Sequence, residues 1–436
     1  MRISVAASPN LQRILFNAGW LVGDKAVRIA LGLVVGIWVA RYLGTEQFGL
    51  LSYATAFTSL FGAIGSLGIS GIAVRDLVRE PHEAGVTLGT AFFLRAVGGV
   101  LAFALSVIGI GFARPDDGLA TLIVVILGFA LILKASEVVK YWFESQVQSK
   151  YVVWAESACF IVLSLVKVSL IIVGASLVAF AWAVLAEAAL VAAVLLCVGS
   201  WRGVHPGSWR VRWWRARVLL KEGWPLILSA FAVMIYMRID QIMLGTMLGD
   251  QAVGIYAAAV HISEAWYFLP AAIAASVFPA VLEAQRQDAD HYHQRLQRLY
   301  NLMVRLAVVV AIPMTFLSTW IVTFAFGSAY SEAGVVLAIH IWAGVFVSMG
   351  VASGKALLAE NLQLLAFYRT AAGAIMNIAV NLAVIPTFGA IGAAAGTVLS
   401  QAMAGYAFDS LHPATRNMFM MKTRALVGLF RFGARR

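Results

Sequence analysis

Apolar residues in this chain neither alternate as in a half-buried strand nor recur as the single stripe of a surface helix. They come in long runs, each closed by a short polar cluster. Twelve such runs can be marked, near 16–40, 47–70, 86–112, 119–145, 151–174, 176–200, 224–248, 254–282, 299–326, 331–358, 362–386 and 389–410. At about 1.5 Å per residue, a helix of this length crosses the roughly 30 Å hydrocarbon core of a bilayer. Transmembrane strands would read as alternating units of about ten residues, and none is evident. The pattern predicts an all-α polytopic membrane protein with twelve transmembrane helices.

Composition agrees. Over 436 residues, 61% are hydrophobic and 12% charged, more apolar surface than one soluble core can hide. The amino-terminal "MRISVAASPNLQR" has no short apolar core with a small-residue cleavage site, so no signal peptide is expected. Cys159 and Cys197 fall inside predicted spans and read as small apolar residues. They imply neither a disulfide framework nor a metal site.

Charge adds orientation. With the amino terminus in the cytoplasm, 20 of the Lys and Arg residues outside the spans lie inside, and only Arg41 and Arg114 lie outside. This bias puts both termini in the cytoplasm, as an even number of spans requires. The longest connection, "WRGVHPGSWRVRWWRARVLLKEG" at 201–223, is a basic linker between two six-span lobes, 1–200 and 224–411. Trp and Arg beside two spans suit anionic headgroups rather than nucleic acid, and no nucleic-acid partner is expected. The tail 412–436 is basic and amphipathic and reads as a second interfacial anchor on the cytoplasmic side.

The halves resemble each other. Residues 41–54, "RYLGTEQFGLLSYA", lie over 246–259, "TMLGDQAVGIYAAA", with a Leu-Gly and a later Gly at a common offset of 205. Arg95 and Arg305 fall at nearly the same offset, and Gly174 and Gly389 occupy similar turns. Such coincidences in one order favour a duplicated six-helix unit whose copies share orientation. Two pseudo-symmetric six-helix lobes around a central cavity follow, which is a transporter's architecture.

Three segments carry a family resemblance: "ARYLGTEQFGLLSYA" (40–54), "IDQIMLGTMLGDQAVGIYAAAVHISEAWYFLP" (239–270) and "NIAVNLAVIPTFGAIGAAAGT" (377–397). They resemble the oligosaccharide flippases of the polysaccharide-synthesis family, in the superfamily of multidrug and toxic-compound extruders and peptidoglycan-precursor flippases. The resemblance runs over nearly the whole chain. It implies a MATE-like, V-shaped bundle without enzymatic activity or cofactor. Such a bundle turns an undecaprenyl-pyrophosphate-linked oligosaccharide from the cytoplasmic to the periplasmic leaflet of the bacterial inner membrane by alternating access. Peptidoglycan-precursor relatives typically carry two further helices. Their lack here favours the O-antigen (lipopolysaccharide), capsule or exopolysaccharide branch, with a polymerase and a chain-length protein as partners in the pathway.

The spans enclose ten cations, Lys25, Arg28, Arg95, Lys134, Lys140, Lys167, Arg238, Arg305, Lys355 and Arg369, and seven acids, Asp24, Glu137, Glu144, Glu156, Glu187, Asp240 and Glu264. At about 2.5–3.5 kcal/mol each, all of them facing lipid would cost roughly 40–60 kcal/mol, so most must face protein or water. Lys140, Glu144, Lys355 and Arg369 lie near span ends and are expected to snorkel. Arg13, Asn17, Asp24 and Arg28 share one stripe with Lys25 at its edge, and Lys134, Glu137, Tyr141, Glu144 and Gln148 form another.

One reading makes these local ion pairs, Asp24 with Arg28 and Lys134 with Glu137. The other, more economical for the whole set, is a water-filled cavity of mixed charge with a cationic excess. There Lys25, Arg28, Arg95, Lys134, Arg238 and Arg305 are the candidate contacts to the cargo's phosphates, because a guanidinium fork matches phosphate oxygens. Asp24, Glu137 and Asp240 are the candidates for coupling to H+ or Na+. Tyr141, Trp142, Tyr236, Trp266 and Tyr267 offer rings on which sugar faces can stack.

Two rivals fit less well. A MATE-like cation or drug antiporter should line its cavity with acids, against the excess of cations here. A membrane-embedded polysaccharide polymerase or glycosyltransferase should present a sizeable external loop or a clustered acidic site, and the external loops are short. No Walker motif, His and Cys metal cluster or nucleophile motif occurs. Energy must then come from an ion gradient or from consumption of the product.

Overall fold

Apolar runs of this length can satisfy their backbone in lipid only through hydrogen bonds within the helix, and no strand occurs among the described residues. The structure is a computed structural model that describes residues 9–429 except Asn361, without the side chains of residues 9–22, 24, 279, 285–287 and 289. In chain order the helices are α1 (Pro9–Ser66), α2 (Ser70–Arg79), α3 (Ala84–Ala113), α4 (Gly118–Leu133), α5 (Val138–Ser145), α6 (Lys150–Ile172), α7 (Leu177–Trp201), α8 (Trp213–Met247), α9 (Asp250–Glu264), α10 (Phe268–Gln287), α11 (Ala289–Phe326), α12 (Ala333–His340), α13 (Ala343–Ala359), α14 (Gln363–Gly405) and α15 (Arg416–Val427).

Ten segments among the described residues are long and apolar enough to cross a membrane, which makes this a multi-pass membrane protein. The sequence expectation of twelve counts two of these segments twice. Lys25–Arg79 is broken at Gly44 (φ 74°) and Gln363–Ser410 at Gly389 (φ 56°). Large apolar side chains stand outward on the spans, Phe112 at 85% exposure and Phe316 at 82% among them. That surface is stable only against hydrocarbon.

Packing divides the chain into two units. The first contains α1 up to Val35 and residues Phe57–Phe231; the second contains Gly36–Ala56 and the chain from Ala232 onward. In the first unit, Ile69, Leu77, Leu88, Val138 and Leu219 form a core. Backbone N–H groups of the linker donate to the start of α3, Arg210 to the Gly85 carbonyl at 3.0 Å and Arg212 to the Thr90 hydroxyl at 3.1 Å. Arg215, only 4% exposed, donates to Asp76 at 3.3 Å and to Glu80. The linker is thus bonded to its own unit, while Trp201, Trp213 and Trp224 point outward.

In the second unit, Tyr300, Met303, Met349 and Leu357 form the core, joined by Met418, Met421 and Ala425 of α15. Within the described part of the tail, Met418, Met421 and Ala425 are therefore covered by protein, while Met420 and Val427 stand outward. A polar anchor fixes it. Lys422 is fully buried, and its Nζ donates to Asp409, to the Gly405 carbonyl at 2.7 Å and to the Ser353 hydroxyl at 3.0 Å. Arg369, expected to snorkel, instead donates to the same hydroxyl at 2.6 Å.

The repeated Leu-Gly turn has a structural counterpart. Gly44 and Gly249, related by the 205 offset, both hold a positive φ (74° and 87°), a conformation that a Cβ disfavours. Five residues on, a Cβ at Gly49 would meet the Asp250 carbonyl oxygen at 1.8 Å, and one at Gly254 would meet the Thr45 carbonyl oxygen at 1.9 Å. Thr45 and Asp250 share that offset too, so α1 and α9 cross reciprocally, within the second unit, at a distance only glycine permits.

Candidate functional site

In the first unit five charges of the spans, Arg95 buried and the other four partly buried, form one continuous ladder. Arg28 on α1 donates to Glu156 on α6 at 2.9 Å, and the other Glu156 oxygen pairs with Lys140 on α5. Lys140 also lies 3.3 Å from Glu137, whose second oxygen accepts from Arg95 on α3 at 2.7 Å. Arg95 Nη1 donates to the Tyr141 hydroxyl at 2.7 Å. A 3-10 turn, Lys134–Glu137, interrupts the span between α4 and α5 and ends at Glu137. The ladder links three cations and two carboxylates, and Arg95 Nε is buried without a hydrogen-bond partner. Because Glu137 pairs with Arg95 and Lys140, the local pair with Lys134 does not form.

The second unit holds a different chemistry. Arg238 on α8 pairs with Glu264 at 3.0 Å, immediately before another 3-10 turn, Ala265–Tyr267. Two residues after Arg238, Asp240 is 2% exposed and has no Lys or Arg at ion-pair distance among the described residues. Its partners are neutral. Oδ2 accepts from the Tyr256 hydroxyl and from Thr397 Oγ1 at 2.8 Å, and Oδ1 accepts from the Gln241 N–H at 3.0 Å.

Thr397 Oγ1 also lies 3.0 Å from the Ala393 carbonyl and 2.9 Å from the Tyr256 hydroxyl, so oxygens outnumber the protons available to bridge them. The chain continues from Thr397 through Ser400 and Asn377 to Asn381, whose Oδ1 is buried without a partner. An oxygen-rich cage around one buried carboxylate fits a proton or a small hard cation.

Of the sequence-derived candidates, the structure brings Arg28, Arg95 and Glu137 into one network and sets Arg238 and Asp240 in the second unit with separate partners. Lys25, Lys134 and Arg305 are exposed. The side chain of Asp24 lies outside the described residues. Tyr141 touches Arg95 directly. Sequence reasoning assigned no site role to Lys140, Glu156, Tyr256, Thr397, Asn377 and Asn381. Lys140 was expected at the surface, yet it bridges Glu137 and Glu156. Asn377 and Asn381 carried a signal, two amides one helical turn apart in an apolar span.

The fold recurs in solved transporters at 15% sequence identity. The lipid II flippase MurJ in an inward closed conformation has a TM-score of 0.72, covering 94% of this chain and 91% of its own. An inward-facing multidrug resistance MATE family transporter of the MOP superfamily has a TM-score of 0.70, covering 93% and 96%. A probable low-salt glycan biosynthesis flippase of Haloferax volcanii is 27% identical over 192 residues, 43% of this chain. The chain thus spans about two fifths (40%) of the length of the relative it matches. Residues 14–285, more than half of the chain, match the family described as polysaccharide biosynthesis protein, and this protein belongs to that family.

Proposed function

We propose that this protein is a flippase, a transporter and not an enzyme, that moves a lipid-linked oligosaccharide across the membrane by alternating access. The cargo is an undecaprenyl-pyrophosphate-linked repeat unit, carried from the cytoplasmic to the periplasmic leaflet of a bacterial inner membrane with both chain termini cytoplasmic. Membership of the family supports the class of cargo, and the excess of Lys and Arg in alternate loops supports the orientation.

The observation that carries the reading is the ladder from Arg28 to Arg95. A buried ion pair is at best nearly neutral for stability, and five linked charges are not needed to hold apolar helices together. Their arrangement suits exchange of partners: pyrophosphate oxygens replace Glu137 and Glu156 on the guanidinium forks of Arg95 and Arg28. Lys25, Lys134, Arg238 and Arg305 are proposed as further phosphate contacts, and Tyr141 as a ring for the first sugar.

Coupling is assigned to Asp240. A carboxylate buried among hydroxyls and an amide, with no Lys or Arg at ion-pair distance among the described residues, suits a proton or a small cation such as Na+. Glu137 is the second candidate and Asp24 the third.

The test uses full-length protein in vesicles with lipid-linked oligosaccharide on one side. Arg95→Gln should remove translocation at normal protein level, with Arg95→Lys restoring part of it. Asp240→Asn should leave cargo binding but remove dependence on a Na+ or H+ gradient. Undiminished transport by Arg95→Gln and Arg28→Gln together would refute the cargo assignment. Gradient dependence surviving in Asp240→Asn would refute the coupling assignment alone.

A further inference from the structure

Outside the translocation machinery, the first turns of α11 and the tail helix α15 enclose an open cavity of about 340 Å³. His293, Gln297, Arg298, Asn417, Met421 and Arg424 line it. The volume lies within the range of small-ligand sites. Helix α11 has 38 residues, roughly 57 Å at 1.5 Å each, so its first turns outrun a hydrocarbon core of about 30 Å. α15 is not among the spans. The cavity therefore opens at headgroup level.

Its electrostatics are one-sided. Arg298 and Arg424 are exposed, and neither has a hydrogen-bond or ion-pair partner among the described residues. No carboxylate occurs among its described lining residues, while His293 and the Asn417 amide add polar groups. Two guanidiniums held around one cavity without a counter-charge among its described lining residues repel each other. A bound anion relieves that repulsion. Met421, buried at the floor, is apolar and gives a small headgroup a surface on which to rest.

We propose that this cavity binds a phosphate-bearing anion, held by the forked donors of Arg298 on α11 and Arg424 on α15 and so bridging the tail helix to the bundle. Two sources share that chemistry, the headgroup of an anionic phospholipid and free inorganic phosphate. The site makes no use of the charges assigned to cargo or coupling ion, so it stands or falls independently of the flippase reading.

The experiment measures thermal unfolding and ligand affinity of purified full-length protein in phosphatidylcholine nanodiscs. Phosphatidylglycerol is added to the bilayer in one arm, and inorganic phosphate to the buffer in the other. Stabilisation by at least one probe is expected, with affinity about tenfold or more weaker in Arg298→Gln/Arg424→Gln, because removing a charge-assisted hydrogen bond weakens binding by roughly a decade. Response to phosphatidylglycerol alone identifies a lipid headgroup; response to both probes identifies phosphate itself. A control variant, Arg416→Gln, on α15 but outside the cavity lining, should respond as the unmodified chain does. Asn417→Leu is a second cavity variant in case the double substitution impairs folding, and it should also weaken binding. The proposal is overturned if neither probe stabilises the unmodified chain, or if the cavity variants respond as it does.

Discussion

Replacing Lys422 with Met tests how the tail helix is held. The Lys422 ammonium is fully enclosed and uses its three donors on Asp409, the Gly405 carbonyl and Ser353. Methionine matches the length and apolar stem but leaves Asp409, 1% exposed, as an uncompensated buried carboxylate. Breaking one partner of such a pair costs about 3–5 kcal/mol. α15 alone leaves its seat, since it carries few other polar ties. The assay is thiol labelling of Ala425→Cys, a position 3% exposed, after Cys159 and Cys197 are replaced by Ala. The labelling rate should rise by about two to four decades in Lys422→Met. Lys422→Met/Asp409→Asn should recover most of the protection, because no lone charge remains.

The same pair gives a pH signature with a definite sign. Burial pushes the Lys422 ammonium down to about 8 from the 10.5 of a free lysine. A base whose docked pKa is lowered is disfavoured while protonated, so docking strengthens as pH rises between about 8 and 10.5. Protection of Ala425→Cys should therefore increase with pH in the unmodified chain and lose that slope in Lys422→Met. Equal labelling of the two chains at neutral pH, with no difference in slope, would refute the reasoning.

Two further outcomes follow from close packing and from the linker. Gly254→Ala should lower thermal stability by about 1–3 kcal/mol or more, because its Cβ would meet the Thr45 carbonyl oxygen at 1.9 Å, whereas Gly111→Ala, with nothing within 4 Å, should be neutral or slightly stabilising. Arg215→Gln should weaken the seat of the linker, and because Arg215 holds the Glu80 carboxyl below the usual carboxylate range, the contribution of that pair is present above that range and lost as pH falls below it through the lowered value. Acid titration of proteolytic cleavage in 202–212 would show the loss, and Arg215→Gln should abolish it.

The helical fold was legible because lipid leaves the backbone one solution, and run length then gives the spans. Gly44 and Gly249 were legible for a similar reason: a positive φ needs glycine, so the repeat survives at its turns while the surrounding apolar residues drift. The charged stripe of the fourth span set Glu137 and Tyr141 on one face, and both reach Arg95. Helical spacing says which face a charge occupies but not which helix faces it. Local pairing of Lys134 with Glu137 was therefore a fair expectation, and Arg95 and Lys140 supply the actual partners. Lys140 and Arg369 were misplaced because proximity to a span end looks the same whether a side chain snorkels or is enclosed. The tail's amphipathic pattern likewise says that one face is covered without saying by what.

The contrast between the two charged regions bears on how cargo and ion can be linked. In the first unit the cations of the ladder are held by carboxylates, with the Tyr141 hydroxyl as a neutral partner of Arg95, and on the proposed reading phosphate oxygens replace the carboxylates. Around Asp240 the hydrogen-bond donors are two hydroxyls and a backbone N–H, and the coupling proposal assigns that set a proton or a small cation. On the proposed reading, the two sites influence each other only through a shared conformational equilibrium, and any coupling free energy must then be reciprocal. Na+ or H+ at Asp240 should change cargo affinity by the same factor that cargo changes ion affinity. Asp240→Asn and Arg95→Gln should each remove one binding event together with the coupling, while the other event survives at its uncoupled affinity. A protein in which Asp240→Asn altered cargo binding to the same extent with and without an ion gradient would have no such equilibrium, and Asp240 would be a packing residue.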